Sequence, residues 1–418
     1  MARKKRALFM TVGTGTDSKK YSLAHGLMCS IDSKDPDFIC FFGSRDSKST
    51  VDALKEVFYD EFEEDFDECY DYEFVENENI DSFKNYFNEF KFKIAELEDE
   101  YRILIDYTSG TKTMTMSAAF ASMIFRKELF VVVGERSGGV VVKGTEECKS
   151  QNLYQVYDEL LISTLKDLFN SNRFESGKLL VDVLVDTNRD KDVYSKLFDT
   201  YYYFDSVNHE KAFETFDVGE FQKVWPELAK QFQLNIKALN IMNTFNQNSS
   251  KGPVEHELKK YYMLASILNN ARRRRNENKF DDAVARLYRS LELIAQIRLS
   301  KVYGINSSCI DIDILRENNV DEDYLGNLDS SKDIKFGLTA DYELLAKLND
   351  SLGEFYLNNR EQIRNVLKFR NNSILAHGFE SCSKKEYDEF RGIVLEAANL
   401  LHEDMGKFIE ETMFPILS

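Results

Sequence analysis

Residues 1–148 alternate short apolar runs with amphipathic stretches, and this pattern limits the fold more than any other feature of the chain. Residues 7–12, 38–42 and 103–105 are apolar runs of strand length. In 70–74, Tyr70, Tyr72 and Phe74 alternate with Asp71 and Glu73, the period of a half-buried strand. Between these runs lie helical patterns at 19–30, 51–59, about 80–98 and 114–125. Residues 129–133 and 140–142 flank Gly138 and Gly139, which predicts a hairpin. Strands separated by helices must cross over between neighbours, so the expected fold is an α/β Rossmann-like domain with a mostly parallel sheet.

Beyond Cys148 the strand signals fade, and an all-α region is expected, broken near 246–253, 304–308 and 329–337. Its clearest helix covers 280–299, where Phe280, Val284, Leu287, Leu291 and Ile294 form one apolar stripe. No internal repeat or low-complexity linker occurs. The expected division is 1–148 as the α/β domain, 149–250 as a helical connecting region and 251–418 as a second functional domain.

Composition excludes several classes. Hydrophobic residues make up 43% and aromatics 13%, ample for sizeable cores. No apolar run reaches the ~18 residues that a membrane span needs. The basic start, Arg3 to Arg6, runs at once into a strand-like segment without a long apolar region, so a cytoplasmic protein with no membrane partner is expected. Cys29, Cys40, Cys69, Cys148, Cys309 and Cys382 are scattered and form no C-x-x-C pair; the five histidines form no H-E-x-x-H. No metal site is expected. The net charge of −18 rules out nucleic-acid binding through the overall field, so any RNA contact needs a local basic patch or recessed site. Residues 60–81 hold twelve acids and no base, which reads as a solvated loop and edge strand.

Ligands of open parallel sheets bind beyond the carboxyl ends of the strands. Two loops here follow such ends. Gly13-Thr14-Gly15-Thr16-Asp17-Ser18 follows the first strand, and Asp106-Tyr107-Thr108-Ser109-Gly110-Thr111-Lys112 follows the strand at 103–105. Glycines let backbone N–H groups approach a phosphate, a helix N-terminus adds positive dipole and a lysine adds charge. The first loop has Ser18 where a dinucleotide fingerprint needs glycine or alanine. The second lacks the upstream glycine of a P-loop. Neither NAD nor ATP is indicated, and the first loop alone could equally be an ordinary strand–helix turn.

The run Asp106, Thr108, Ser109, Gly110, Thr111, Lys112, Met114 resembles the D-x-T-[SG]-G-T-K-x-M motif of CARF domains, the sensors of type III CRISPR accessory proteins. That resemblance implies a homodimer holding a cyclic oligoadenylate (cyclic tetra- or hexa-adenylate) across its two-fold axis. It assigns Gly13, Thr14, Gly15 and Thr16 together with Thr108, Ser109, Gly110, Thr111 and Lys112 to ligand binding, with Ser44 and Ser47 as further candidates.

Near the C-terminus stands Phe369-Arg370-Asn371-Asn372-Ser373-Ile374-Leu375-Ala376-His377-Gly378. On a helix Arg370 and His377 would share a face, ~10.5 Å apart along the axis. By spacing alone His377 could simply complement a helix C-terminus. The segment resembles the R-x(4–6)-H motif of HEPN ribonucleases at its longest spacing. The stretch from Phe280 through Arg286, Arg289 and Glu292 to Gln296 and Tyr303-Gly304-Ile305 is similar to one CARF–HEPN subfamily. The resemblance implies single-stranded RNA cleavage without a metal or other cofactor. The 2′-hydroxyl attacks its own phosphate, His377 moves protons, Arg370 stabilises the phosphorane and Asn371 orients the pair. No stable association with the CRISPR effector complex is implied. Arg272 to Arg275 form the densest basic run, open to reading as a solvated helix end or as an RNA track. The alternative function is a nucleotide-sensing regulatory or toxin-like binding module whose helical half is not catalytic.

Overall fold

The computed structural model describes residues 4–15, 20–79, 81–137, 140–151, 153–185, 190–243, 253–326, 328, 334–372 and 378–418. The chain divides into two compact units, Met1–Leu161 and Ile162–Ser418.

The first unit is a six-stranded sheet with helices on both faces. In chain order it runs β1 (Lys5–Val12), α1 (Lys20–Lys34), β2 (Phe38–Gly43), α2 (Lys48–Phe62), α3 (Phe66–Cys69), β3 (Asp71–Glu76), α4 (Phe83–Leu97), β4 (Tyr101–Asp106), α5 (Lys112–Phe125) and β5 (Glu128–Val133). The short pair β6 (Arg136–Ser137) and β7 (Val140–Val141) follows, then β8 (Glu147–Gln151). The strand order is β3-β2-β1-β4-β5-β8. The first five strands pair parallel, with Ala7 beside Phe38 on one side of β1 and Met10 beside Asp106 on the other. The expected α/β fold, with a mostly parallel sheet ahead of an all-α region, is what forms.

Alternation along β1 splits the core in two. Leu8, Met10 and Val12 face α1 and α2, packing with Leu27, Ile31 and Leu54. Ala7 and Phe9 face the opposite layer with Phe42, Phe90 and Ala118. There Phe42 stacks on Phe90 at 4.0 Å between ring centres. Each fully buried phenylalanine contributes roughly 1.5–3 kcal/mol.

The hairpin expectation needs correction. Residues 140–141 pair with 136–137 in a separate two-stranded ribbon, while β5 takes β8 as its antiparallel neighbour. β8 reads Glu-Cys-Lys-Ser-Gln, largely exposed, so it carries no apolar signal. The sheet therefore extends to Gln151, through residue 148.

The second unit is helical. Phe169, Tyr201, Phe204 and Phe414 form an aromatic centre with ring separations of 4.8–6.5 Å. The helices Pro253–Asn276 and Phe280–Val302 pack as a pair joined at Asn278, which takes the left-handed conformation (φ 58°) that asparagine tolerates. Val284, Leu287, Leu291 and Ile294 are buried, as the stripe requires. The helix Lys384–Leu401 packs on Phe280–Val302, and Met405–Glu411 packs on Pro253–Asn276. The chain's last residues are clasped by side-chain amides: Asn235 donates to the Met413 carbonyl at 2.8 Å, and Asn170 accepts from the Leu417 N–H at 2.8 Å. No helix among the described residues is long and apolar enough to cross a membrane.

Candidate functional site

β1 and β4 are neighbours, and the sheet grows outward from them in opposite chain directions. Their carboxyl ends thus mark the topological switch point, where side chains and ligands can enter between diverging helices. The two glycine-bearing loops meet there. A Cβ on Gly13 would lie 3.0 Å from both Cα and N of Gly110. The Gly13 N–H donates to Ser109 Oγ at 3.1 Å, and Thr11 Oγ1 donates to the Ser109 carbonyl. Gly110 needs its own lack of a side chain for φ +116°, and an added Cβ there would press on Met114 and Thr11 at 3.1–3.3 Å.

Below the loops a buried polar cluster fixes their shape. Asp106 is fully buried, and burial raises its carboxyl pKa against the opposing pull of hydrogen bonds from Ser30 and Thr108. Its Oδ1 accepts the Thr108 N–H at 2.8 Å, and its Oδ2 accepts the hydroxyls of Thr108, at 3.0 Å, and Ser30. Thr108 Oγ1 in turn accepts the Val132 N–H at 2.8 Å, tying the loop to β5. Thr50 donates to the carbonyls of Gly13 (2.8 Å) and Thr14 (3.3 Å), anchoring the first loop to α2.

The named loop residues therefore divide. Thr108 and Ser109 spend their side chains inside the protein, and Ser109 is only 3% exposed. Ser47 is buried and donates to the Ser44 carbonyl at 2.8 Å, which shapes the turn after β2. Thr14, Gly15, Gly110 and Lys112 are exposed at the mouth; Thr16 lies outside the described residues. Thr111 caps α5, accepting the Met114 N–H at 3.2 Å. The first-turn N–H groups of α5 have no intrahelical acceptor, and its positive dipole end points the same way as the loop. Lys112 forms no ion pair among the described residues. Backbone donors, a helix N-terminus and an ammonium together suit an anionic ligand. Thr11, Ser30 and Thr50 lie outside both loops in sequence, and isolated hydroxyl residues carry no local signal.

The second candidate lies in the helical unit. Arg370 and Asn371 sit on the helix Arg360–Asn372, with side chains outside the described set. His377 lies outside the described residues, so its relation to Arg370 rests on sequence. Both flanks of the segment are anchored. Ile363 and Val366 are buried, and their helix packs against Phe280–Val302 and Lys384–Leu401. After Gly378, the Cys382 N–H donates to Asp281 Oδ1 at 3.0 Å, at the start of Phe280–Val302. Ser383 and Glu386 then form a capping box. The 280–305 stretch builds this scaffold: Arg286 donates to Asp282 Oδ1 at 2.9 Å and to Asn270, and Tyr303 donates to Asp350 Oδ2 at 2.9 Å.

The arginine run is not simply a solvated helix end, because two of its four residues turn inward. Arg273 donates to Asp205 at 2.7 Å and stacks its guanidinium 3.7 Å from the Phe414 ring centre; Arg274 pairs with Asp205 and Glu277. Only Arg272 and Arg275 turn outward, Arg275 lying 3.9 Å from Asp388. All six cysteines are free thiols, and no group of three or more His, Cys, Asp or Glu side chains could hold a metal ion among the described residues.

Residues 255–401 match the sequence family described as the Csm6 HEPN domain. No curated protein matches the chain. Among solved structures, Enterococcus italicus Csm6 bound to cyclic hexa-2′-fluoro-hexa-dAMP is similar at TM-score 0.67 and 13% identity, over 98% of this chain and 100% of that one. Can2 from Sulfobacillus thermosulfidooxidans, in complex with cyclic tetra-adenylate, aligns over 50% of this chain and 68% of that one at 7% identity, and its TM-score of 0.25 carries no inference. The chain thus carries a match to the Csm6 HEPN domain in 255–401 behind an N-terminal Rossmann-like sheet, and over its length it has the fold of the Csm6 structure.

Proposed function

We propose that the chain is a cyclic oligoadenylate-activated endoribonuclease of type III CRISPR antiviral defence, acting as a cytoplasmic homodimer. One observation carries this reading: a phosphate-compatible cradle at the switch point of the sheet stands in the same chain as a HEPN ribonuclease domain. The cradle consists of Gly13, Thr14, Gly15, Gly110 and the α5 N-terminus with Lys112; Thr108 and Ser109 hold it in shape. Thr16 belongs to the same loop. A cyclic tetra- or hexa-adenylate presents phosphates that such donors can take up. That the Csm6 structure holds a cyclic hexanucleotide supports the ligand class.

Dimerisation is supported by α5, whose first turn forms the cradle. It exposes Met116 (52%), Phe120 (43%) and Ile124 (48%), spaced four residues apart on one face. An apolar stripe at that spacing wants a partner helix, and an isologous dimer provides the same stripe from a second copy. A ligand on the two-fold axis would then bias both protomers at once.

In cleavage, His377 moves the protons of the 2′-hydroxyl attack, Arg370 stabilises the charge-rich phosphorane and Asn371 orients them. The products carry 2′,3′-cyclic phosphate and 5′-hydroxyl ends, and the chemistry runs without a metal ion. Single-stranded RNA incubated in EDTA, with and without cyclic tetra- and hexa-adenylate, tests the reading. Cleavage that rises with one of these ligands and persists in EDTA supports it. Cleavage that vanishes in EDTA and returns with Mg²⁺ overturns the chemistry; cleavage indifferent to every cyclic oligoadenylate overturns the sensor assignment.

A further inference from the structure

We infer that the helical unit holds a phosphate subsite built to grip a phosphodiester of single-stranded RNA. The inference rests on the ribonuclease reading above. The site is a cavity of about 120 Å³ between the helices Tyr154–Asn170 and Pro253–Asn276 and the C-terminal tail. Four asparagines, two arginines and apolar residues, Phe169 and Phe414 among them, line it, and among the described residues no carboxylate does. In a chain of net charge −18, such a lining favours an anion that also accepts hydrogen bonds. That space has room for a group the size of a phosphate.

Two arginines make it a built site. Arg273 is 7% exposed and fixed on two sides, its Nε on Asp205 and its plane on Phe414. Its Nη2 is buried without a hydrogen-bond partner among the described residues, and the residue lines the cavity. A buried guanidinium N–H left unmade is costly, and an anion oxygen would satisfy it. Arg272 lines the same cavity but is exposed, and among the described residues it donates to the weak acceptor Met413 Sδ at 3.8 Å. It can therefore swing its charge onto a ligand, while Arg273 supplies a fixed donor. Asn276 is exposed at the same helix end, beside Arg272. An exposed arginine at the rim and a second arginine in the wall suit one phosphate of a strand whose neighbouring nucleotides run over the exposed helix end.

The test uses the full-length protein and a fluorescein-labelled, fully 2′-O-methylated RNA, which cannot undergo 2′-hydroxyl attack. Anisotropy titrations at several salt concentrations compare wild type with Arg272→Ala and Asn276→Asp. Both residues are exposed, so both variants should fold. Removing one phosphate interaction should raise Kd roughly tenfold. For Arg272→Ala it should also lower the slope of log K against log salt by ~0.7. Inorganic phosphate should compete in wild type and lose that competition in Arg272→Ala. Unchanged affinity and slope in both variants would overturn the inference. So would phosphate binding that depends on Arg272 while RNA affinity does not, since the site would then take a free anion. If wild type neither cuts nor binds RNA, the ribonuclease reading itself fails, a result distinct from either.

Discussion

Replacing Gly13 by alanine would drive a methyl group against the Gly110 backbone. The new Cβ would sit 3.0 Å from Gly110 Cα and 3.0 Å from its N, tighter than ordinary van der Waals contact. Neither neighbour is the end of a flexible side chain, so relief requires the two loops to part. Gly110 is already held at φ +116°, a conformation with few alternatives once its neighbours are hydrogen-bonded. Overpacking of this kind costs ~1–3 kcal/mol. If the loops part, the cost falls on the cradle: the 3.1 Å hydrogen bond from the Gly13 N–H to Ser109 is the first to break. Affinity for the activating cyclic oligoadenylate should drop by about 5- to 150-fold, the binding equivalent of that cost. Isothermal titration calorimetry of the full-length variant measures it. Gly392→Ala serves as a control, because its added Cβ meets nothing within 4 Å and lies in the interior of a helix where alanine is favoured. Wild-type affinity in Gly13→Ala would refute the claim that the close approach of the two loops shapes the site.

Lys112→Ala should weaken activator binding with basal cleavage little changed; wild-type affinity by calorimetry would remove Lys112 from the site. Phe120→Asp puts a charge in the exposed α5 stripe and should shift the protein to monomer in sedimentation equilibrium, while a persisting dimer would move the interface elsewhere. His209 accounts for one acid-labile element: burial beside Ser266 and the Phe204 ring lowers its pKa from 6.5 to about 4. A depressed imidazole pKa means that the unfolded chain takes the proton first. The His209 contribution is complete above pH 6.5 and is lost as pH falls towards 4, up to about 3 kcal/mol at 1.36 kcal/mol per pK unit. His209→Gln should remove that part of the pH dependence from urea unfolding between pH 4 and 6.5, and an unchanged pH profile would contradict the assignment.

The parallel sheet was legible because buried strands and amphipathic helices alternate in apolar pattern, and the pattern is set by burial. β8 was not, since an exposed antiparallel edge strand buries too little to bias its composition. The cradle was legible in its glycines and Lys112, whose roles depend on local backbone shape. The inward roles of Thr108 and Ser109 depend on Val132 and Gly13, partners brought near by the sheet rather than by sequence. The arginine run shows the same limit. Four consecutive helical residues point in all directions, and which of them turn inward is decided by partners such as Asp205, 68 residues away from Arg273, and Phe414.

Single-turnover cleavage of labelled RNA by wild type, Lys112→Ala and His377→Ala, each with and without cyclic oligoadenylate, addresses the central claim most directly. The account predicts ligand-stimulated cutting in wild type, a response shifted to higher ligand concentration in Lys112→Ala, and no cutting in His377→Ala, whose calorimetric ligand affinity stays at the wild-type level. Ligand-stimulated cleavage that survives His377→Ala would contradict it.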